Sequence, residues 1–123
     1  MRPLLALLLL GLVACGGDDP VDAGPPVAEI TITSTKTEFD VEAFAVRAGA
    51  EVPVTYDNRH AGVQHNVHFE LEGDDDPATD VKAGPDVQTV TLVASEAGEF
   101  DYICDVHPGQ MQGTLVVVEE GSG

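Results

Sequence analysis

The stretch Gly98-Glu-Phe-Asp-Tyr-Ile-Cys-Asp-Val-His-Pro-Gly-Gln-Met-Gln-Gly-Thr-Leu-Val-Val-Val118 sets a thiol, an imidazole and a thioether, Cys104, His107 and Met111, on one short segment. Soft sulfur donors combined with an imidazole suit copper better than calcium, magnesium or manganese, because both sulfurs are polarizable. Phe100, Tyr102 and Cys104 alternate with Glu99, Asp101 and Ile103, the period of two that puts the first three on the inner face of a strand. After Gly113, the β-branched run Thr114-Leu-Val-Val-Val118 reads as a second, mostly buried strand. The three donors therefore fall at a strand end and on the loop joining two core strands.

A further nitrogen is available upstream, in Asp57-Asn-Arg-His-Ala-Gly-Val-Gln-His65-Asn66-Val67-His68-Phe69. A Cys and two His with a long axial Met is the donor set of a blue-copper electron-transfer centre. With Gly62-Val-Gln-His65-Asn66-Val67 and Tyr102-Ile-Cys104-Asp-Val-His107-Pro-Gly-Gln-Met111-Gln-Gly113, the chain resembles the small blue copper proteins, the cupredoxins of the plastocyanin, amicyanin and halocyanin kind. The resemblance implies an all-β, cupredoxin-like Greek-key sandwich or barrel of about 7–8 strands, with one copper ion held by His65, Cys104, His107 and Met111.

His65 and His68 are three apart, on opposite faces if the segment is a strand, so both cannot reach one metal. The resemblance favours His65, the His directly before Asn, and leaves His60 and His68 as surface residues. It also implies that Asn66 lies just outside the ligand set, its backbone N–H donating to the Cys104 sulfur, and that the ring edge of His107 reaches solvent within an apolar patch. Pro108 biases His107 to an extended conformation and stiffens the loop. The spacing from His107 to Met111 lies between those of amicyanin and plastocyanin, so Gln110 is an alternative axial donor. Ile103 stands where plastocyanins carry a Tyr, and a second electron route is not supported.

The remainder fits a sandwich. Ala28-Glu-Ile-Thr-Ile-Thr33 alternates with Ile30 and Ile32 inward, and Phe39, Val41, Phe44 and Val46 supply apolar positions in a less regular stretch. Ala48-Gly-Ala50 turns the chain into Glu51–Tyr56, where Pro53 argues for an edge or a bulge. A strand is expected over Asn66–Glu72, an acidic loop over Gly73–Asp80, and a further strand over Val87–Val93. Turn signals every 8–12 residues and no helical period point to an all-β fold.

At the N-terminus, residues 1–14 hold one Arg and then a short apolar run, a secretory signal too short to span a membrane. Leu12-Val-Ala-Cys15 resembles the lipobox of bacterial lipoproteins, which implies cleavage before Cys15 and its acylation; several acyl chains would anchor the protein stably. Residues 15–27 then form a lipidated linker rich in Gly, Pro and Asp, residues 28–119 the copper-binding domain, and 120–123 a short tail. An acylated Cys15 leaves Cys104 without a disulfide partner, and metal ligation accounts for a lone thiol in an exported protein. A Cys15–Cys104 disulfide is disfavoured because Cys15 ends the signal.

With 22 acidic and 5 basic residues the formal charge is −17. Such a surface repels nucleic acid and attracts cationic partners at salt-dependent rates, as in docking a basic cytochrome or oxidase; adaptation to saline surroundings accounts for the charge equally well. Four protein donors leave a mononuclear site no room for substrate, and the His clusters of multicopper oxidases are absent. An electron carrier, monomeric and membrane-anchored in the periplasm or on the outer cell surface, is expected, not an enzyme. A periplasmic module that stores or delivers Cu(I) is the alternative, and zinc is disfavoured because it has no preference for Met.

Overall fold

The structure, a computed structural model, describes residues 21–72 and 76–119. The signal, Cys15, the start of the linker and the C-terminal tail lie outside the described residues.

Nine strands are formed among the described residues, three of them only two residues long: β1 Ile30–Ser34, β2 Ala43–Arg47, β3 Val52–Asn58, β4 Gln64–His65, β5 His68–Phe69, β6 Lys82–Ala83, β7 Asp86–Leu92, β8 Gly98–Ile103 and β9 Gln112–Val118. One sheet has the order β1-β3-β7, a second β2-β9-β8-β5, and a small third pairs β4 with β6. The β1–β3 and β2–β9 pairs are parallel, and β3–β7, β8–β9, β5–β8 and β4–β6 are antiparallel. No helix among the described residues is long and apolar enough to cross a membrane.

The alternation read from the sequence is what buries the two large sheets against each other. Ile32, Val54, Tyr56 and Leu92 from the first, and Phe44, Val46, Phe69, Tyr102, Leu115 and Val117 from the second, join one apolar cluster. Phe39 spans the layers, its ring 6.0 Å from that of Tyr56 and 5.4 Å from that of Tyr102, separations at which aromatic edges and faces attract. Both tyrosines bury their rings and satisfy their hydroxyls. Tyr56 donates to Ser34 Oγ at 2.7 Å and Tyr102 to the Val41 carbonyl at 2.6 Å. Burial pushes the Tyr56 phenol up to about 12 and raises that of Tyr102 as well.

Two expectations are corrected. Pro53 does not mark an edge strand, since β3 is the middle strand of its sheet; its register with β1 begins one residue later, at Val54, so the missing N–H interrupts no β1–β3 pairing. Nor is Asn66–Glu72 one strand. Its backbone changes partners: His65 pairs with Lys82, Thr79 N–H donates to the Val67 carbonyl, Phe69 N–H to that of Pro77, and Glu70 N–H to that of Asp101. The chain is also attached to β2 earlier than the linker boundary suggests, through a Pro26–Ala45 bridge and a Val27 N–H bond to Ala45.

Tyr102 and Gly113 face each other across β8 and β9. A Cβ on residue 113 would overlap the Tyr102 ring, so only glycine fits opposite this buried phenol. Gly113→Ala is expected to cost about 2–3 kcal/mol through overpacking, read as a lowered urea midpoint; an unchanged midpoint would show that the ring moves freely.

Candidate metal centre

The β8–β9 ladder ends at Ile103–Gln112, and the chain between is closed by hydrogen bonds to itself. Cys104 N–H donates to the Met111 carbonyl at 3.2 Å, His107 N–H to the Cys104 carbonyl at 3.1 Å, and Gln110 and Met111 N–H to the His107 carbonyl at 3.1 and 3.0 Å. Continuation of the β8 alternation turns Cys104 inward, where it is fully buried and free of any disulfide. Met111 is also fully buried whereas Gln110 is exposed, so of the two axial alternatives the thioether lies on the inside. Pro108 is exposed, and its carbonyl accepts from Gln112 Nε2 at 2.8 Å across the neck of the loop.

His65 arrives from β4 and is 1% exposed. Its Nδ1 lies 3.9 Å from Cys104 Sγ, and His107 Nδ1 lies 3.6 Å from the same sulfur. One donor atom from each of His65, Cys104 and His107 falls within 4.8 Å of the others, and with Met111 these residues are positioned as a ligand set. Burial, and then the neighbouring His107 and His60 rings, holds the His65 imidazole below its ordinary pKa, which favours the neutral form that can donate a lone pair. His107 is half-buried, and beside it Gly62, Val63, Gln64, Ala83 and Val106 line a shallow, uncharged depression.

Asn66 joins the two segments through its side chain. Its Oδ1 accepts from Asp105 N–H at 2.8 Å, and its Nδ2 donates to Asp105 Oδ2 at 2.9 Å and to the Thr79 carbonyl at 3.1 Å. The other oxygen of Asp105 accepts from His68 Nδ1 at 2.9 Å, and Asp76 lies 3.6 Å from His68 Nε2. His68 is thus a half-buried brace of the ligand loop and not a free surface residue, and it takes no place in the donor cluster. His60, also expected at the surface, is half-buried with its ring stacked 5.1 Å from that of His65. Asp105 and Asn58 were not singled out by sequence reasoning; the one available signal for Asp105 was its place between two ligands.

Two imidazoles, a thiol and a thioether gathered between the sheets of a β-sandwich define a mononuclear, protein-enclosed centre for a soft metal ion. A family model described as a Cupredoxin-like domain matches residues 4–117, and the chain belongs to that family. Comparison with curated protein sequences finds no match. Similar solved structures include the dithionite-reduced auracyanin of Roseiflexus castenholzii, with a TM-score of 0.69 and 22% identity over 76% of this chain and 99% of that one. Auracyanin A, a "blue" copper protein of Chloroflexus aurantiacus, gives 0.62 and 26% over 76% and 99%. A Cu(I) form of an amicyanin mutant gives 0.55 and 32% over 73% and 82%.

The His68–Asp105 pair makes a pH-dependent contribution to stability. The hydrogen bond to Asp105 raises His68 above its ordinary 6.5 against the opposing effect of burial. Burial alone would raise Asp105, but the bonds from His68 and Asn66 outweigh it and lower its pKa. The His68 contribution is fully present below 6.5 and lost as pH rises through its raised folded value; that of Asp105 is lost as pH falls through its depressed one. For this partly exposed pair, His68→Gln is expected to cost about 0.5–1 kcal/mol near pH 5.5 and less near pH 9. Urea unfolding of the metal-free protein at both values checks this, and a cost independent of pH would refute it.

Proposed function

We propose that the protein is a one-electron carrier whose copper ion is held by His65, Cys104, His107 and, axially, Met111. The observation that supports this most directly is the convergence of the His65, Cys104 and His107 donor atoms within 4.8 Å, with Cys104, Met111 and His65 buried. Copper in that set supplies a one-electron couple. The chain's contribution is to hold the donors still: the loop from Cys104 to Met111 is bonded end to end and tied by Asp105 to Asn66. A scaffold that does not move between charge states keeps reorganisation small. His107, half-exposed beside the uncharged surface of Val63, Ala83 and Val106, is the edge through which an electron leaves.

We further propose export and anchoring through an acylated Cys15, in the periplasm or on the outer cell surface, as a monomer serving a donor and an acceptor such as a cytochrome and an oxidase. Lipobox-like Leu12-Val-Ala-Cys15 supports the anchor, and the formal charge of −17 supports a basic partner and no role with nucleic acid. With the donor positions filled by protein, no catalytic role is assigned.

The test is the visible and EPR spectrum of the protein titrated with Cu(II), beside Cys104→Ser. An intense thiolate-to-copper band with narrow copper hyperfine splitting, and a reversible redox couple, are expected in the wild type and lost in the variant. Weak colour with ordinary square-planar signals would overturn the carrier reading in favour of Cu(I) storage or delivery.

A further inference from the structure

The donor set leaves one atom of His65 to be accounted for. Its Nδ1 faces the Cys104 sulfur at 3.9 Å. A neutral imidazole that ligates through Nδ1 carries its proton on Nε2, and because His65 is 1% exposed that N–H must find an acceptor inside the protein. The group in reach is not a carbonyl or a carboxylate but a second imidazole: His60 Nδ1 lies 3.0 Å from His65 Nε2, with the two rings inclined at 29°.

His60 is held where it can do this. Asn58, 1% exposed, uses its whole side-chain amide to tie the turn that carries His60 to itself and to β6. Its Oδ1 accepts the His60 backbone N–H at 2.9 Å, and its Nδ2 donates to the Val63 and Lys82 carbonyls, each at 3.0 Å. Val63 N–H closes the turn on the His60 carbonyl at 3.0 Å. Gly84 packs so near that a Cβ there would come within 2.7 Å of the His60 carbonyl oxygen. The turn is therefore braced by β6 and the residues following it, the same segment that pairs with His65 in β4.

Resting on the copper reading above, we infer that His60 is a positioning residue for the metal centre: its Nδ1 accepts the Nε2–H of His65, selecting the His65 tautomer whose Nδ1 lone pair faces the Cys104 sulfur. The proton of His60 then sits on its own Nε2. The opposite polarity, with His60 as donor, would put the His65 proton on Nδ1 and block that atom as a ligand. Hydrogen-bonded partners of ligating histidines commonly govern metal affinity by about 10–100-fold.

The test begins with the wild-type protein loaded with Cu(I), which is diamagnetic, and long-range 1H–15N NMR of its imidazoles. The expected spectrum shows His65 protonated at Nε2, with scalar coupling across the hydrogen bond to His60 Nδ1. A His65 proton on Nδ1, or a His60 ring protonated at Nδ1, would overturn the inference without any variant. Chelator competition then compares Cu(I) affinity in His60→Ala and His60→Asn. The Asn Oδ1 stands one bond beyond Cγ, as His Nδ1 does, and accepts the same proton. A loss of about 10–100-fold in His60→Ala, largely recovered in His60→Asn, is expected. Affinity within twofold of wild type in a folded His60→Ala would overturn the positioning role while leaving the copper site standing. A wild-type protein that takes up no copper would overturn the copper reading itself.

Discussion

The hydrogen bond from Cys104 N–H to the Met111 carbonyl closes a loop whose other backbone–backbone bonds run to the His107 and Cys104 carbonyls. The antiparallel β8–β9 ladder delivers its two ends side by side, and the buried Tyr102–Gly113 contact holds that ladder at one register. Three of the four proposed ligands depend on this closure. A slip of one residue would turn Cys104 outward along with Phe100 and Tyr102, because strand side chains alternate faces.

The fourth ligand comes from a different part of the chain and needs its own attachment. Two side-chain amides supply it. Asn66 binds the backbone and carboxylate of Asp105, tying the residue after His65 to the residue after Cys104. Asn58 ties the turn bearing His60 to the carbonyls of Val63 and Lys82. Both are almost fully buried, where satisfied amides act as rigid struts and an unsatisfied one would be costly. The centre is thus surrounded by short polar links, not by apolar packing alone.

The depression beside the centre is neutral on a chain that is strongly acidic. The chain carries 22 acidic residues against 5 basic ones, yet the residues lining the depression beside His107 are uncharged. An acidic body steers a cationic molecule over long range, whereas close approach at a neutral patch requires no desolvation of charge. That division of labour supports the proposal of a transient encounter with a basic partner at the His107 ring edge.

Much of this was legible in the sequence. Cys104, His107 and Met111 stood on one loop because strand alternation and turn residues are local signals, and the residue types announced a soft metal ion. Ile32, Tyr102 and Cys104 are buried on the inner faces their periodicity assigned, while Ile30 and Phe100, assigned to the same faces, are half-buried. What the sequence could not reveal was which distant backbones pair: the parallel β1–β3 and β2–β9 neighbours, the partner changes that break Asn66–Glu72 into fragments, and the interior place of β3 despite Pro53. The same holds for His60 and His68. Each looked like a surface histidine, and only the folding of separate loops against β4 and the ligand turn brought one against His65 and the other against Asp105. Local patterns determine which side chains face inward; the contacts those side chains find are decided by long-range packing, which leaves no periodic mark in the chain.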